Sequence, residues 1–428
     1  MSAVCVVGLG KIGLPLACSI AAAGHRVRGA DTSQTVVDQV NNAEEPFPGE
    51  SGLADALRHV VDAGTLVATV DTTNAVAESE VVVVVVPLIV NESAEPDFGI
   101  MDAATRDVAA GLKPGTLVSY ETTLPVGTTR NRLARALASG SGLTLGADLF
   151  VVHSPERVFS GRIFADLRSY PKLVGGIDGQ SSARGVSFYE SFLEFDTRDD
   201  LAEPNGVWDL GTAEAAELAK LAETTYRDLN IAYANELAIA SEGIGVDVNA
   251  VIDACNSQPY SHIHRPGISV GGHCIPVYPH FLLNSTTGMS LPSAARAVND
   301  SMPSIAADRL AAELGGLEGL IVVVLGLAYR GEVKEHAFSG TFALVSALET
   351  LGASVAVHDV LYEPREIESL GFSVYRRGEA ADAAVLHTDH AEYLEWESAD
   401  IPGGKVVYDG RNVLDADRWP AVLSLGRS

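Results

Sequence analysis

Ala3-Val4-Cys5-Val6-Val7-Gly8-Leu9-Gly10-Lys11-Ile12-Gly13 is the stretch that decides the fold, read together with the apolar Leu14 to Ala23 and the run His25 to Asp31 behind it. A short β-rich run, a glycine turn, a helix-like stretch, a second strand and an acidic residue follow one another. Those are the parts of a dinucleotide-binding βαβ unit, in the order that unit requires. Gly8 allows the tight turn, Gly10 lets a pyrophosphate approach bare backbone, and Gly13 lets the helix pack close to the sheet. Lys11 and Ile12 complete the turn. Asp31 accepts hydrogen bonds from an adenosine ribose and repels a 2′-phosphate, so NAD is expected rather than NADP. A glycine turn alone is a structural feature; the flanking strands and Asp31 make it a cofactor site.

Working outward, Val81 to Val86 reads as a buried parallel strand that ends at Pro87-Leu88. Leu117 to Glu121 runs into Thr122-Thr123-Leu124-Pro125-Val126-Gly127-Thr128-Thr129, and Phe150 to His153 runs into Ser154-Pro155-Glu156-Arg157. These turns fall at strand ends, where an open α/β sheet binds ligands. Alone, each such turn reads as structural; Val86, Pro87, Thr122 and Thr123 are candidates for the cofactor beside the glycine turn. A helical segment from about Thr212 to Gly243 is rich in Ala, Leu and Glu; on it Lys220 and Thr224 stand one turn apart and share a face. From Gly319 the pattern restarts: Ile321 to Leu325, then Gly326-Leu327-Ala328-Tyr329-Arg330, a helix from about Thr341 to Leu351, a strand at Ser354 to His358, and Asp359. This echoes the first unit without its full glycine set, so no second NAD is assigned. Val406 to Tyr408 is a late strand that ends in Asp409-Gly410-Arg411-Asn412. The expected class is α/β: two Rossmann-like doubly wound domains joined by a central helical segment with a long helix.

The chain has 428 residues, 47% of them hydrophobic, which as a prior suggests two or three domains with large cores. Its 29 basic and 56 acidic residues give a net charge of -27, which argues against a general nucleic-acid or anionic-membrane surface. An anionic small molecule remains compatible with a local basic pocket. Cys5, Cys18, Cys255 and Cys274 show neither paired nor metal-ligand spacing, as expected in a reducing cytosol. The histidines form no ligand pair on one helix face, so no metal is expected. The chain enters a strand at once, with no leader, and its apolar run near Val81 to Val90 is too short to span a bilayer. A soluble cytoplasmic protein is the expectation.

Gly271-Gly272-His273-Cys274-Ile275-Pro276 carries the chemistry. Paired glycines let backbone approach a ligand closely. Arg265-Pro266-Gly267 before them and Pro276 and Pro279 after them mark an ordered loop, a setting in which catalytic groups concentrate. A lone cysteine in a turn is usually filler; this one has a cofactor site for company. His273 beside it either tunes the thiol or simply packs.

Taken in order, the glycine turn, Thr123-Leu124-Pro125, Ser154-Pro155-Glu156-Arg157, Gly271-Gly272-His273-Cys274, Gly326-Leu327-Ala328-Tyr329-Arg330 and Asp409-Gly410-Arg411-Asn412 resemble the UDP-glucose/GDP-mannose dehydrogenase family over essentially the whole chain. The wording around Cys274 and Glu156 looks most like its UDP-N-acetylhexosamine 6-dehydrogenase branch. The resemblance implies oxidation of the C6 alcohol of a nucleotide sugar to a carboxylate, with two hydride transfers to NAD. It implies that Cys274 attacks the C6 aldehyde to give a thiohemiacetal and then a thioester. Lys220 matches the lysine that steadies the oxyanions, Glu156 the carboxylate that activates the hydrolytic water, and Thr123 a threonine that places that water and the cofactor. Arg411 matches an arginine that holds the substrate, and Arg330 replaces a lysine that does so. Glu156, Arg157, Val158, Lys220, Thr224, Arg265, Gly271, Gly272, Tyr329, Arg330 and Arg411 are thereby placed around the substrate. Residues 1–200 become the NAD-binding domain, 201–302 the central segment that carries the cysteine loop and a homodimer interface, and 303–428 the nucleotide-sugar-binding domain.

The departures from the pattern concern the rim of the site. The family aspartate four residues after the cysteine is Tyr278 here, and the asparagine four after the lysine is Thr224. Tyr278 is still counted with the catalytic set, as is Thr224. A tyrosine titrates near roughly 10, so Tyr278 supplies no carboxylate at neutral pH and is expected to alter the substrate or the proton relay. Lys334, Glu335 and Ala337 stand where the family carries two acids and an arginine that reaches NAD, so weaker NAD binding is expected. Ile268 and Ser269 replace a frequent proline and glycine. The rivals are a family member with a diverged substrate (an unusual nucleotide sugar or a nucleoside-derived alcohol), an enzyme limited to two-electron oxidation, and a non-catalytic nucleotide-sugar binder.

Overall fold

The computed structural model describes residues 1–47, 49–91 and 93–427. They form two compact units, Met1–Glu223 with His280–Thr287, and Thr224–Pro279 with the chain from Gly288 onward. The first unit is built on strands β1 (Ala3–Val7), β2 (Arg26–Ala30), β3 (Leu66–Thr69), β4 (Val81–Val84), β5 (Thr116–Tyr120), β6 (Leu149–His153), β7 (Lys172–Gly176) and β8 (Val207–Thr212). They form one sheet in the order β8-β7-β6-β5-β4-β1-β2-β3. Val82, Val83 and Val84 are fully buried, as a strand covered on both faces requires. Pairing is parallel throughout except between β6 and β7. The valine strand stops at Val84, so Val86 and Pro87 belong to the loop that leaves it.

The chain runs from β1 outward to β2 and β3, then returns to β4 on the other side of β1. That reversal opens a crevice at the strand ends, and the glycine turn lies in it. Gly8 has φ +95, and a Cβ there would meet the Val85 carbonyl oxygen at 2.9 Å. A Cβ on Gly13 would lie 1.9 Å from the Gly8 carbonyl oxygen, whereas no atom stands within 4 Å of one built on Gly10. The open face at Gly10 is the cradle a pyrophosphate needs. Asp31 is fixed at the end of β2: Leu9 N donates to Oδ2 at 2.8 Å and Ser33 N to Oδ1 at 2.9 Å. We expect Gly13→Ala to push the helix away from the turn at a cost of about 1–3 kcal/mol. An NAD titration should therefore show affinity weakened about tenfold or more.

The second unit carries β9 (Ile321–Leu325), β10 (Ser354–His358), β11 (Ser373–Val374), β12 (Ala383–Leu386), β13 (Val406–Asp409) and β14 (Val422–Ser424). Its order is β11-β10-β9-β12-β13-β14, all parallel. Gly326 repeats Gly8, with φ +110 after the first strand. Asp359 repeats Asp31: its Oδ2 accepts from Leu327 N at 2.7 Å and from Ala328 N at 2.8 Å. Met302, Ala306 and Leu310 of the helix Leu291–Leu314 pack into a core with Val322, Val324 and Leu344. Among the described residues no helix is long and apolar enough to cross a membrane.

Candidate active site

In the first unit Val86, Pro87, Thr122, Thr123 and Glu156 follow the carboxyl ends of β4, β5 and β6. Thr122 donates from Oγ1 to the Val86 carbonyl at 2.5 Å, which ties the β5 loop to the β4 loop, and Thr123 beside it is buried. Lys220 is buried on the long helix Ala213–Ile244, and Thr224 one turn on is buried too. One turn before Lys220, Glu217 accepts from Gly127 N at 2.5 Å and Thr129 N at 2.7 Å. The threonine loop is thus hung from the helix that carries Lys220. Burial pushes the Glu217 carboxyl up to about 7 against the pull of those donors.

Glu156 follows β6, its Oε1 held by Arg157 N at 2.8 Å. Its Oε2 accepts from Lys172 Nζ at 2.8 Å, and the same ammonium donates to Glu121 Oε2 at 2.9 Å. Tyr189 OH closes the far side, donating to Glu121 Oε1 at 2.6 Å and standing 2.7 Å from Ser119 Oγ. Burial raises the Glu121 carboxyl, although Lys172 pulls it back. Burial also opposes ionisation of Glu156, but the Lys172 charge and hydrogen bond outweigh it and hold that carboxyl below its usual range. Arg157 reaches Glu223 from Nε at 2.8 Å, and Val158 is half-buried beside it.

The second unit holds the cysteine loop. Gly267 N donates to Asn235 Oδ1 at 2.9 Å, Asn235 Nδ2 to Asn299 Oδ1 at 2.9 Å, and Asn299 Nδ2 to Asp228 Oδ1 at 2.8 Å, so two helices clamp the start of the loop. Two residues on, Ser269 Oγ meets His387 Nε2 at 2.8 Å, while His387 Nδ1 faces Thr341 Oγ1 at 3.1 Å and Thr388 Oγ1 at 2.9 Å. Burial, with the nearby Arg411 charge, drops the His387 pKa to about 3, so this imidazole is neutral. Gly272 N donates to the Ala337 carbonyl at 3.0 Å. His273 Nε2 stands 3.3 Å from Glu335 Oε2. Cys274 is exposed, and its carbonyl accepts from Tyr278 N at 2.9 Å as the helix Tyr278–Ser285 begins.

The paired glycines also let this chain's own Tyr329 come close. A Cβ on Gly271 would lie 2.6 Å from the Tyr329 Cβ and 2.9 Å from the Phe338 carbonyl oxygen; one on Gly272 would lie 3.0 Å from the Tyr329 ring. On the Cβ side, the space that glycine leaves is filled by this chain's own Tyr329. Arg411, half-buried after β13, donates from Nε to the His387 carbonyl at 2.7 Å and from Nη2 to the Tyr329 carbonyl at 3.4 Å. Its guanidinium is thus aimed by the backbone. Arg330 is exposed. Arg265, also expected at the substrate, is engaged by Asn249 and Asp253 of the helix Val248–Asn256.

Of the four cysteines, Cys5 and Cys18 are buried with thiols pushed up to about 12, and Cys255 is half-buried. Cys274 alone is exposed. Thr123, Glu156 and Lys220 belong to one unit, and Cys274, Tyr278, Arg330 and Arg411 to the other. Sequence reasoning missed Lys172, Glu121, Glu217 and His387. The available signal was a charge placed against an apolar strand, as in Pro171-Lys172-Leu173-Val174. Among the described residues no group of His, Cys, Asp and Glu side chains is placed to hold a metal ion.

Comparison with known proteins agrees along the whole chain. Residues 2–193 match the NAD-binding domain of the UDP-glucose/GDP-mannose dehydrogenase family, 214–301 its central domain and 323–416 its UDP-binding domain. A UDP-N-acetyl-D-mannosamine dehydrogenase of Pyrococcus horikoshii is 34% identical, with 96% of each chain covered. An NDP-N-acetyl-D-galactosaminuronic acid dehydrogenase of Ralstonia solanacearum is 32% identical over 97% of each. Among solved structures, the UDP-D-ManNAc dehydrogenase of P. horikoshii superposes with TM-score 0.87 at 32% identity over 99% of both chains. A UDP-glucose dehydrogenase of Pyrobaculum islandicum gives 0.86 at 26% identity, over 100% of this chain and 98% of that one. With the glycine cradle and Asp31 in place for NAD, this chain belongs to the UDP-glucose/GDP-mannose dehydrogenase family and is an NAD-dependent nucleotide-sugar dehydrogenase.

Proposed function

We propose that this enzyme oxidises the C6 alcohol of a UDP-linked hexose or N-acetylhexosamine to the uronic acid, through a thiohemiacetal and then a thioester on Cys274. The observation that carries the reading is that the one exposed thiol among the four cysteines sits on a loop whose approach is pinned twice, at Gly267 by Asn235 and at Ser269 by His387. NAD, when bound, accepts a hydride in each of the two oxidations. Lys220 stabilises the alkoxide and the tetrahedral oxyanions. Cys274 Sγ bonds to the aldehyde carbon, because a thiolate is both a good nucleophile and a good leaving group. Glu156 then takes a proton from water as the water oxygen bonds to C6 and the C–S bond breaks toward sulfur. Thr123 helps to place that water, and Arg411 holds the nucleotide sugar.

UDP-N-acetylmannosamine is the favoured substrate, because relatives of that activity cover nearly all of the chain. Tyr278 favours a second reading, a diverged sugar, since no carboxylate stands one turn after the cysteine. Tyr226, Tyr233 and Ile244 are exposed along the long helix, which suits a homodimer, and the free cysteines suit the cytoplasm. The test is a panel of nucleotide sugars followed by NADH absorbance. Two NADH per sugar, with acid as product, are expected; one NADH with free aldehyde overturns the four-electron reading.

A further inference from the structure

β7 runs antiparallel to β6, with Val152 opposite Gly176 and His153 opposite Gly175. Continuing that register beyond the end of β6 brings Lys172, the first residue of β7, opposite Glu156. A parallel β7 would have put its first residue at the other end of the sheet. The reversed strand instead delivers a lysine to the edge where β5 and β6 release Glu121 and Glu156. The Lys172 side chain is 4% exposed and that of Glu121 0%, whereas that of Glu156 is 12% exposed, so Glu156 is the most exposed member of the triad.

Holding two carboxylates and an ammonium out of water costs several kcal/mol per ion before their attraction offsets it. A packed apolar cluster would serve stability as well, so the triad calls for another account. Lys172 is gripped from behind by Glu121, with its ammonium 4.8 Å from the centre of the Tyr189 ring. It has little freedom, and neither has the Glu156 oxygen it holds. We propose that Lys172 is a positioning residue for the hydrolytic carboxylate. By bridging Glu121 and Glu156 it keeps Glu156 ionised and fixed in orientation, so it governs release of the acid from Cys274 and leaves the hydride transfers alone. The inference rests on the reading of Glu156 as the base that activates water. In that step the water oxygen bonds to the C6 carbonyl carbon, the C–S electron pair returns to Sγ, and the water proton passes to Glu156.

The charged and titratable groups facing Glu156 set the sign of the pH effect. Lys172 favours the carboxylate, Glu121 sits behind Lys172 with Tyr189 on its other oxygen, and the Arg157 guanidinium is turned to Glu223. His153, buried beside Lys172, is neutral, its pKa lowered to about 3 by burial and by that lysine. With Lys172 removed, burial of Glu156 is no longer offset and its carboxyl titrates at higher pH.

The test uses the full-length enzyme in three forms: wild type, Lys172→Met and Glu156→Gln. Lys172→Met should show a pre-steady-state burst of two NADH per site within about threefold of the wild-type rate, followed by turnover slowed about 10²-fold, in line with the lower range for general-base catalysis. The thioester should accumulate, visible in the intact mass, and the acid limb of the pH profile should move up by about one unit or more. Lys172→Arg, which keeps the charge, should recover most of the steady-state rate. If Lys172→Met fails to fold, the double change Glu121→Gln with Lys172→Met keeps the net charge of the cluster and should show the same burst and stall. Unchanged turnover and pH profile, or burst and turnover falling together, overturn the inference. If Glu156→Gln stalls at the thioester while the Lys172 variants do not, the inference alone falls. If Glu156→Gln hydrolyses normally, or the wild type forms no acyl-enzyme, the reading beneath it falls as well.

Discussion

Cys274→Ser is expected to retain NAD and nucleotide-sugar binding while acid formation drops by at least about 10³-fold, a floor set well below the roughly 10⁶-fold cost of deleting a nucleophile outright. The serine oxygen occupies nearly the same place on the clamped loop, so the fold and the contacts of Asn235 and His387 are untouched. What is lost is chemistry. An alcohol is scarcely ionised near neutral pH and leaves poorly, so neither the hemiacetal nor the ester step runs at the thiol's rate. The first oxidation needs no nucleophile, and the variant should release aldehyde with one NADH per sugar. Product analysis alongside NADH absorbance checks this; wild-type acid yield would remove Cys274 from the mechanism.

Lys220→Ala should lower kcat by about 10²–10³-fold, the usual cost of losing one donor to a developing oxyanion. Burial is what makes the effect large: Lys220 is 8% exposed, and a charge acts more strongly where water is excluded. The loss should fall on kcat, with NAD affinity unchanged because the glycine turn is untouched. A C6-deuterated substrate should then slow the variant more than it slows the wild type, since hydride transfer becomes the limiting step. Lys220→Arg should recover part of the rate through its retained charge. A kcat within about threefold of wild type would take Lys220 out of the oxyanion role.

Much of this was legible because it is local. Gly8, Gly10, Gly13 and Asp31 spell one supersecondary unit, and the second unit repeats the same grammar at Gly326 and Asp359, so strand order follows with little freedom. Lys220 and Thr224 share a helix face simply through spacing. For Lys172 only the charge beside an apolar strand was visible, not its role, because its partners lie 16 and 51 residues away and the antiparallel run of β7 joins them only in the fold. At Gly271 and Gly272 the sequence shows that something comes close, and the structure identifies Tyr329 as one such neighbour, because absence of a Cβ says only that there is room. Arg265 was placed at the substrate by resemblance, but the adjacent helix supplies its counter-ion.

The ring of Tyr329 under Gly271 and Gly272 has a wider implication. The ring that backs the two glycines before Cys274 belongs to the segment that also presents Arg330 and is followed by the residues up to Phe338 that meet the same glycines. Drift in that segment, whether toward another sugar or another base, would shift the cysteine loop along with Arg330. On the mechanism proposed above, selectivity and reactivity would be tuned together, and changes such as Ala337 and Tyr278 would act as a matched set.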